Sequence, residues 1–246
     1  MKKIIIGLFT LLFLNEVGYS TPSTTFWAPS THYVQPFGIL HITYDTYFRG
    51  GTAYPVDTGL TVGVLPFEKL QMEVGYDLFF PGSYPLSLNG KIGSPEGAFF
   101  SGSPGWSAGI FGVGFKKDAT DYNILHIMFG KTFSYAGIFG LGGYYGFNKD
   151  LLTSSDGEEN NTGIMASWFS PDISVSGIEK LMLAWDIMTG KNIIGATGGG
   201  LYIYFTPAID LLIGPVYFFD SKLQPGETKW LWSVQIDIDV DLKIKR

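Results

Sequence analysis

Asp237, Asp239 and Asp241 stand at alternate positions, so in an extended chain their carboxylates share one face about 7 Å apart. That is too far for two acids to share one proton. A calcium site wants oxygens converging at about 2.3–2.6 Å, usually from a loop. Two readings stay open: an acidic wall balanced by Lys69, Lys91 or Lys180, and a strip that attracts cations. His41, Thr43 and Asp45 repeat the spacing, and a histidine among carboxylates either moves protons, binds metal or is simply held by hydrogen bonds. Gly195–Gly200 has no helix pattern after it, so a dinucleotide loop is not expected. Thr189-Gly190-Lys191-Asn192 lacks the earlier glycine and the closing hydroxyl of a phosphate loop and reads as a tight turn. With no cysteine in the chain, thiolate chemistry is excluded. No catalytic group, metal or cofactor is expected.

The elements that carry these side chains are strands. From Trp230 the even positions read Trp, Trp, Val, Ile, Ile, Val, Leu, Ile, while Ser233, Gln235, the three aspartates, Lys243 and Lys245 lie between them. Such alternation gives one apolar and one polar face to a strand, whereas a helix would scatter the charges. The period returns in 69–79, where Lys69, Glu73 and Asp77 share a face. Strands are predicted at 37–48, 57–65, 69–79, 85–93, 106–116, 122–131, 135–147, 162–169, 180–188, 194–205, 208–219 and 229–244. The count is twelve, even as single-chain bacterial barrels require. Asp186 joins the residues expected to line the interior. Pro215 cannot donate to a ladder, so a bulge or a strand end is expected there.

Composition points the same way: 46% of residues are apolar and 16% aromatic, only 15% are charged, and 33 are glycine. Lys2 and Lys3 before an apolar run from Ile4 to Leu14, then Gly18-Tyr19-Ser20, read as a secretory signal peptide over 1–20. A chain this apolar that leaves the cytoplasm must bury its surface in a core or in lipid, and only helices and closed barrels satisfy their backbone in lipid. Without Lys2, Lys3 and Glu16, the 16 basic and 22 acidic residues leave a net charge of −7, with no basic block for nucleic acid. Residues 21–36 form an arm rich in Pro, Ser and Thr whose Phe26, Trp27 and Tyr33 do not suit a solvated tail. The arm is expected either to fold back as a plug or gate, or to hang free or dock a partner. Residues 37–246 make up the barrel.

The stretches YDLFFPGSYPLSLNGKIGSPEG, GKTFSYAGIFGLGGYYGF and LAWDIMTGKNIIGATGGGLYIYFTPAIDLLIGPVYFFD resemble a group of bacterial envelope proteins described as porin-like or transporter-like barrels. The resemblance implies an all-β, transmembrane, up-and-down antiparallel barrel in the outer membrane of a Gram-negative-type bacterium. Outer-membrane lipid, the barrel-assembly machinery and a small-molecule solute are the partners expected. Such barrels usually finish on an aromatic residue, and this sequence departs from that in Lys243-Ile244-Lys245-Arg246. Lipid-degrading barrel enzymes present a serine two residues from a histidine on one strand face. Here His41-Ile42-Thr43 offers threonine, and His126-Ile127-Met128 offers no hydroxyl. The leading expectation is a channel or binding barrel for small solutes, including apolar ones. The alternatives are a structural or adhesive barrel and, third, a lipid-modifying enzyme.

Overall fold

The computed structural model describes residues 25–49, 52–54 and 56–244. The expected signal peptide and the first residues of the arm lie outside these. The strands are β1 (Ile39–Arg49), β2 (Thr52–Ala53), β3 (Val56–Gly63), β4 (Gln71–Phe80), β5 (Leu86–Ser94), β6 (Gly105–Gly114), β7 (Asp121–Phe133), β8 (Gly137–Gly146), β9 (Thr162–Phe169), β10 (Lys180–Met188), β11 (Ala196–Thr206), β12 (Ile209–Phe218) and β13 (Trp230–Asp241). Apart from β2, a two-residue ladder on the end of β1, each strand pairs antiparallel with the next, and β13 pairs with β1. The result is a closed barrel of twelve strands with no free sheet edge. No helix among the described residues is long and apolar enough to cross a membrane.

The β1–β13 seam sets His41 opposite Asp239, Thr43 opposite Asp237 and Asp45 opposite Gln235. These face inward, while Ile42, Tyr44, Trp232 and Ile236 face out and are exposed. The barrel therefore inverts the usual rule, with charge inside and aliphatic and aromatic side chains outside. We call the end holding turns 64–70, 95–104, 134–136, 170–179 and 207–208 the near end, and the opposite one the far end. Exposed rings ring both: Phe67, Phe133 and Phe205 near, Phe48, Tyr145 and Trp230 far.

Pro215 does not end β12, which runs on to Phe218. Its ladder with β11 skips from Gly198–Val216 to Leu201–Ile213 without changing register. The gap is tolerated because Gly199 and Gly214 approach so closely that a Cβ on Gly214 would lie 2.0 Å from the Gly199 carbonyl. The register shift in this pair sits at Tyr204/Thr206 instead. Another, in β6, coincides with Gly112, whose φ of 65° is the left-handed backbone that glycine accepts without strain.

Candidate functional site

The interior of the barrel is occupied by its own N-terminal arm. Residues 25–36 run from the far end, beside Asp186 and Ile194, down to the near end, where Phe37 bridges Gly63. An irregular segment inside a barrel must find partners for its backbone, and the wall supplies them. Asp186 accepts from the backbone N–H groups of Trp27 at 2.9 Å and Ala28 at 3.3 Å and from the Thr25 hydroxyl. Gln235 Nε2 donates to the Phe26 carbonyl at 2.9 Å, Ser167 to that of Ser30 at 2.6 Å and Ser107 to that of Thr31 at 3.2 Å. At the near end the Gln35 N–H donates to Glu73.

The arm also fits the wall by shape. A Cβ at Gly130 would lie 1.8 Å from the His32 ring, one at Gly105 2.2 Å from it, and one at Gly198 2.6 Å from Phe26. Phe26 is fully buried and meets Tyr202 edge to face, and Trp27 meets Phe218 at 4.9 Å between ring centroids. These contacts belong to an apolar cluster of Phe169, Met182, Leu212, Val216 and Leu231 that fills the β9–β13 side. Tyr33, half-buried, lies 4.3 Å from His32.

The other side holds a cavity of about 620 Å³ whose β1–β5 wall carries the charged side chains. Thr25, Trp27, Ala28 and Pro29 form one wall, and His41, Asp45, Asp57, Glu73, Asp77 and Lys91 come from β1, β3, β4 and β5. The cavity reaches the far-end loops at Pro81–Pro85 and Gln224, and no residue of the near-end turns lines it. Glu73 and Lys91, opposite each other in register, are 3.4 Å apart at their charged atoms. His41 sits between two carboxylates, Nδ1 2.7 Å from Asp239 and Nε2 3.4 Å from Asp237. The Thr43 hydroxyl donates to Asp45 at 2.8 Å. With both imidazole nitrogens engaged and the hydroxyl turned to Asp45, His41 and Thr43 do not form a nucleophile and base pair. Among the described residues no His, Asp and Glu group is arranged to hold a metal ion.

His41, Asp45, Glu73, Asp77, Lys91, Asp186, Asp237 and Asp239 thus all point into the interior. Two expected lumen residues fall outside the interior, and a third reaches only its mouth. β4 begins at Gln71 rather than at 69, so Lys69 is exposed in the turn. Asp241 ends β13 in an exposed position and accepts from the Lys243 N–H at 2.7 Å. Lys180 lies at the near-end mouth, 3.1 Å from Asp172 and over the Tyr204 ring. The acidic strip is therefore balanced by His41, and of the three lysines only Lys91 pairs inside, with Glu73. Thr189–Asn192 lies in a far-end turn, where Asn192 donates to Tyr144 Oη at 2.9 Å.

Two further interior residues stand on inward faces that alternation marks, although neither is among the residues expected to line the lumen. Asp57 belongs to the small or polar face Asp57, Gly59, Thr61, Gly63, and His126 alternates with the outward Leu125 and Ile127. At the near end, Glu96 lies outside the strands. Burial works to raise its carboxyl, but Lys131 at 2.6 Å and the Thr132 N–H at 2.7 Å outweigh this and hold it below the ordinary glutamate value.

No protein-family model matches the chain, and no curated protein sequence does. Among solved structures, the NanC porin is similar over 81% of this chain and 98% of that one, with a TM-score of 0.51 and 9% identity. The fold is porin-like. An outer membrane channel from Pseudomonas putida F1 is similar over 84% of this chain and 97% of its own, with a TM-score of 0.45 and 11% identity. The N-terminal β-barrel domain of Pseudomonas aeruginosa OprF gives 84%, 100%, 0.22 and 10%.

Proposed function

We propose that this protein is an outer-membrane barrel that admits small solutes from its far end and is closed at its near end by its own arm. A closed sheet with apolar residues outside and charges inside suits a bilayer and would be poorly soluble in water. Strands of 8 to 13 residues match the roughly 9–11 that a tilted strand needs to cross the hydrocarbon region. Twelve strands leave more room than the eight that side chains alone fill, and here an arm takes the difference. The observation that carries the reading is the path of residues 25–36 along the interior, with the cavity ending against it.

Planar-bilayer recording tests it. The intact protein should conduct rarely and briefly, and deletion of Thr25–Gln35 should give long-lived openings with the barrel still folded on a heat-modifiability gel. Reversal potentials of the deleted form under a salt gradient should favour cations, because Asp45, Asp57, Glu73 and Asp77 outnumber Lys91 and His41 on the cavity wall. A folded deletion variant with unchanged conductance would refute the gate.

A further inference from the structure

We infer that the cavity binds a small organic cation, a protonated amine carried on an apolar body. The inference rests on the reading above that the barrel admits solutes, and it names their class.

Three carboxylates meet where β1, β3 and β4 run side by side. Asp45 stands opposite Asp57, and Asp77 stands opposite Gly59, two residues further along β3. Gly59 is what lets them converge: a Cβ there would lie 2.9 Å from Asp77 Oδ1 and 2.6 Å from the Thr43 methyl, so Asp77 leans over the bare backbone. Their partners are neutral. Asp45 accepts from Thr43 at 2.8 Å and from Tyr47 at 3.3 Å, and Asp77 accepts from Asn89 at 2.7 Å. One oxygen of Asp57 has no hydrogen-bond partner although the residue is only 9% exposed, and Asp57 is part of the cavity wall. The basic side chains Lys91 and His41 are engaged elsewhere, Lys91 with Glu73 and His41 with Asp237 and Asp239. Among the described residues none of the three acids has an ion-pair partner. Buried anions without a countercharge are costly, and a cation from outside removes that cost.

The remaining walls decide what kind of cation. Phe79 stands in register with Asp57, and Trp27, Phe111, Tyr122, Ile124 and Ile194 complete an apolar lining. A bare metal ion would engage the acids and leave these rings facing water. An ammonium group on an aromatic or branched body engages both and adds cation–π attraction. The volume of about 620 Å³ falls within the roughly 300–1,000 Å³ typical of small-molecule sites.

The test is calorimetric titration of the intact protein in detergent at pH 7 with 2-phenylethylammonium, 2-phenylethanol, 3-phenylpropionate and calcium chloride. Phenylethylammonium should bind at least about tenfold more tightly than the alcohol or the acid, and calcium should not displace it. Asp57→Asn and Asp77→Asn should each weaken it by about tenfold or more. Equal binding of the alcohol, displacement by calcium, or full affinity in a folded Asp57→Asn barrel would each overturn the inference. Should either variant fail to fold, the ranking of the four probes on the wild-type protein decides alone. Binding needs no open pore, so a silent arm-deleted barrel beside an intact protein that still selects the amine would refute the channel and leave the site standing.

Discussion

Asp186 of β10 accepts the backbone N–H of Trp27 at 2.9 Å, joining two residues 159 positions apart in the sequence. The same carboxylate takes the Ala28 and Gly198 N–H groups and the Thr25 hydroxyl, so it ties the arm to the wall at the level of the cavity. Each hydrogen bond to a charged group is worth about 1.5–3 kcal/mol. Asp186→Ala should therefore release the upper arm and raise the open probability in bilayer recordings, with the barrel intact. A folded Asp186→Ala protein that stays as closed as the wild type would show that the arm is held elsewhere.

Gly130→Ala should have the same effect from β7, because the new methyl would overlap the His32 ring. Chymotrypsin should then cut the arm in detergent, after Phe26, Trp27 or Tyr33, under conditions in which the wild type is resistant. Gly90→Ala, whose Cβ would meet only ordinary contacts at 3.4 Å or more, is the control. The double variant Gly130→Ala, His32→Ala should regain protection, since it removes the ring that the methyl strikes.

The proposed transmembrane placement makes a depth-dependent prediction. Ile236 lies at the middle of β13, outward and exposed, opposite Tyr44. Arginine there should cost about 2–4 kcal/mol of folding stability in lipid, falling to about 0–1 kcal/mol at Leu242 beyond the strand end. Urea titration in liposomes would measure both. Equal costs would place the two side chains in the same medium and contradict a bilayer across the barrel.

A fourth prediction concerns acid. Asp220, in a far-end loop, accepts the Ser155 N–H at 2.8 Å and so links loops 147–161 and 219–229. Burial raises its carboxyl, but the Ser155 contacts and the N–H and charge of Lys222 prevail and hold it below the ordinary 3.8. A carboxyl lowered in the folded state contributes stability that is complete above the unfolded value and is lost as pH falls through the folded one. Ser155 amide exchange, compared with Asp220→Asn, should be equally protected from pH 7 to 5 and lose protection only below about pH 4. Loss of protection already near pH 6 would mean that another group controls the loop contact.

The strands were legible because one face of each is apolar and the other is not; 162–169 and 180–188 agree residue for residue. The interior aspartates of β13 followed from the same period, and so did their meeting with His41 once the barrel closed. Pairing by charge was not legible: which lysine reaches which acid depends on strand stagger, and two residues at the start of β4 move Lys69 from wall to turn. The glycines misled in an instructive way. As letters they suggest bends and space, whereas Gly105, Gly130 and Gly198 leave room for particular side chains of the arm. Aromatic rings among prolines marked the arm as unsuited to water, but its course depends on Asp186, Ser107, Ser167 and Gln235, each a long-range partner that no local pattern announces.

Because the arm runs directly into β1 through Pro36, Phe37 and Gly38, a released arm remains within a few residues of its own seat. Short tethers of this kind hold a segment at an effective concentration of about the millimolar range. If the arm gates the barrel as proposed, its release and return are unimolecular, independent of how much protein the membrane holds. An opening ends by recapture rather than by a new encounter. Lasting access to the interior requires something that competes for the seat, and the ligand-sized space beside Trp27 is where a competitor would first touch it.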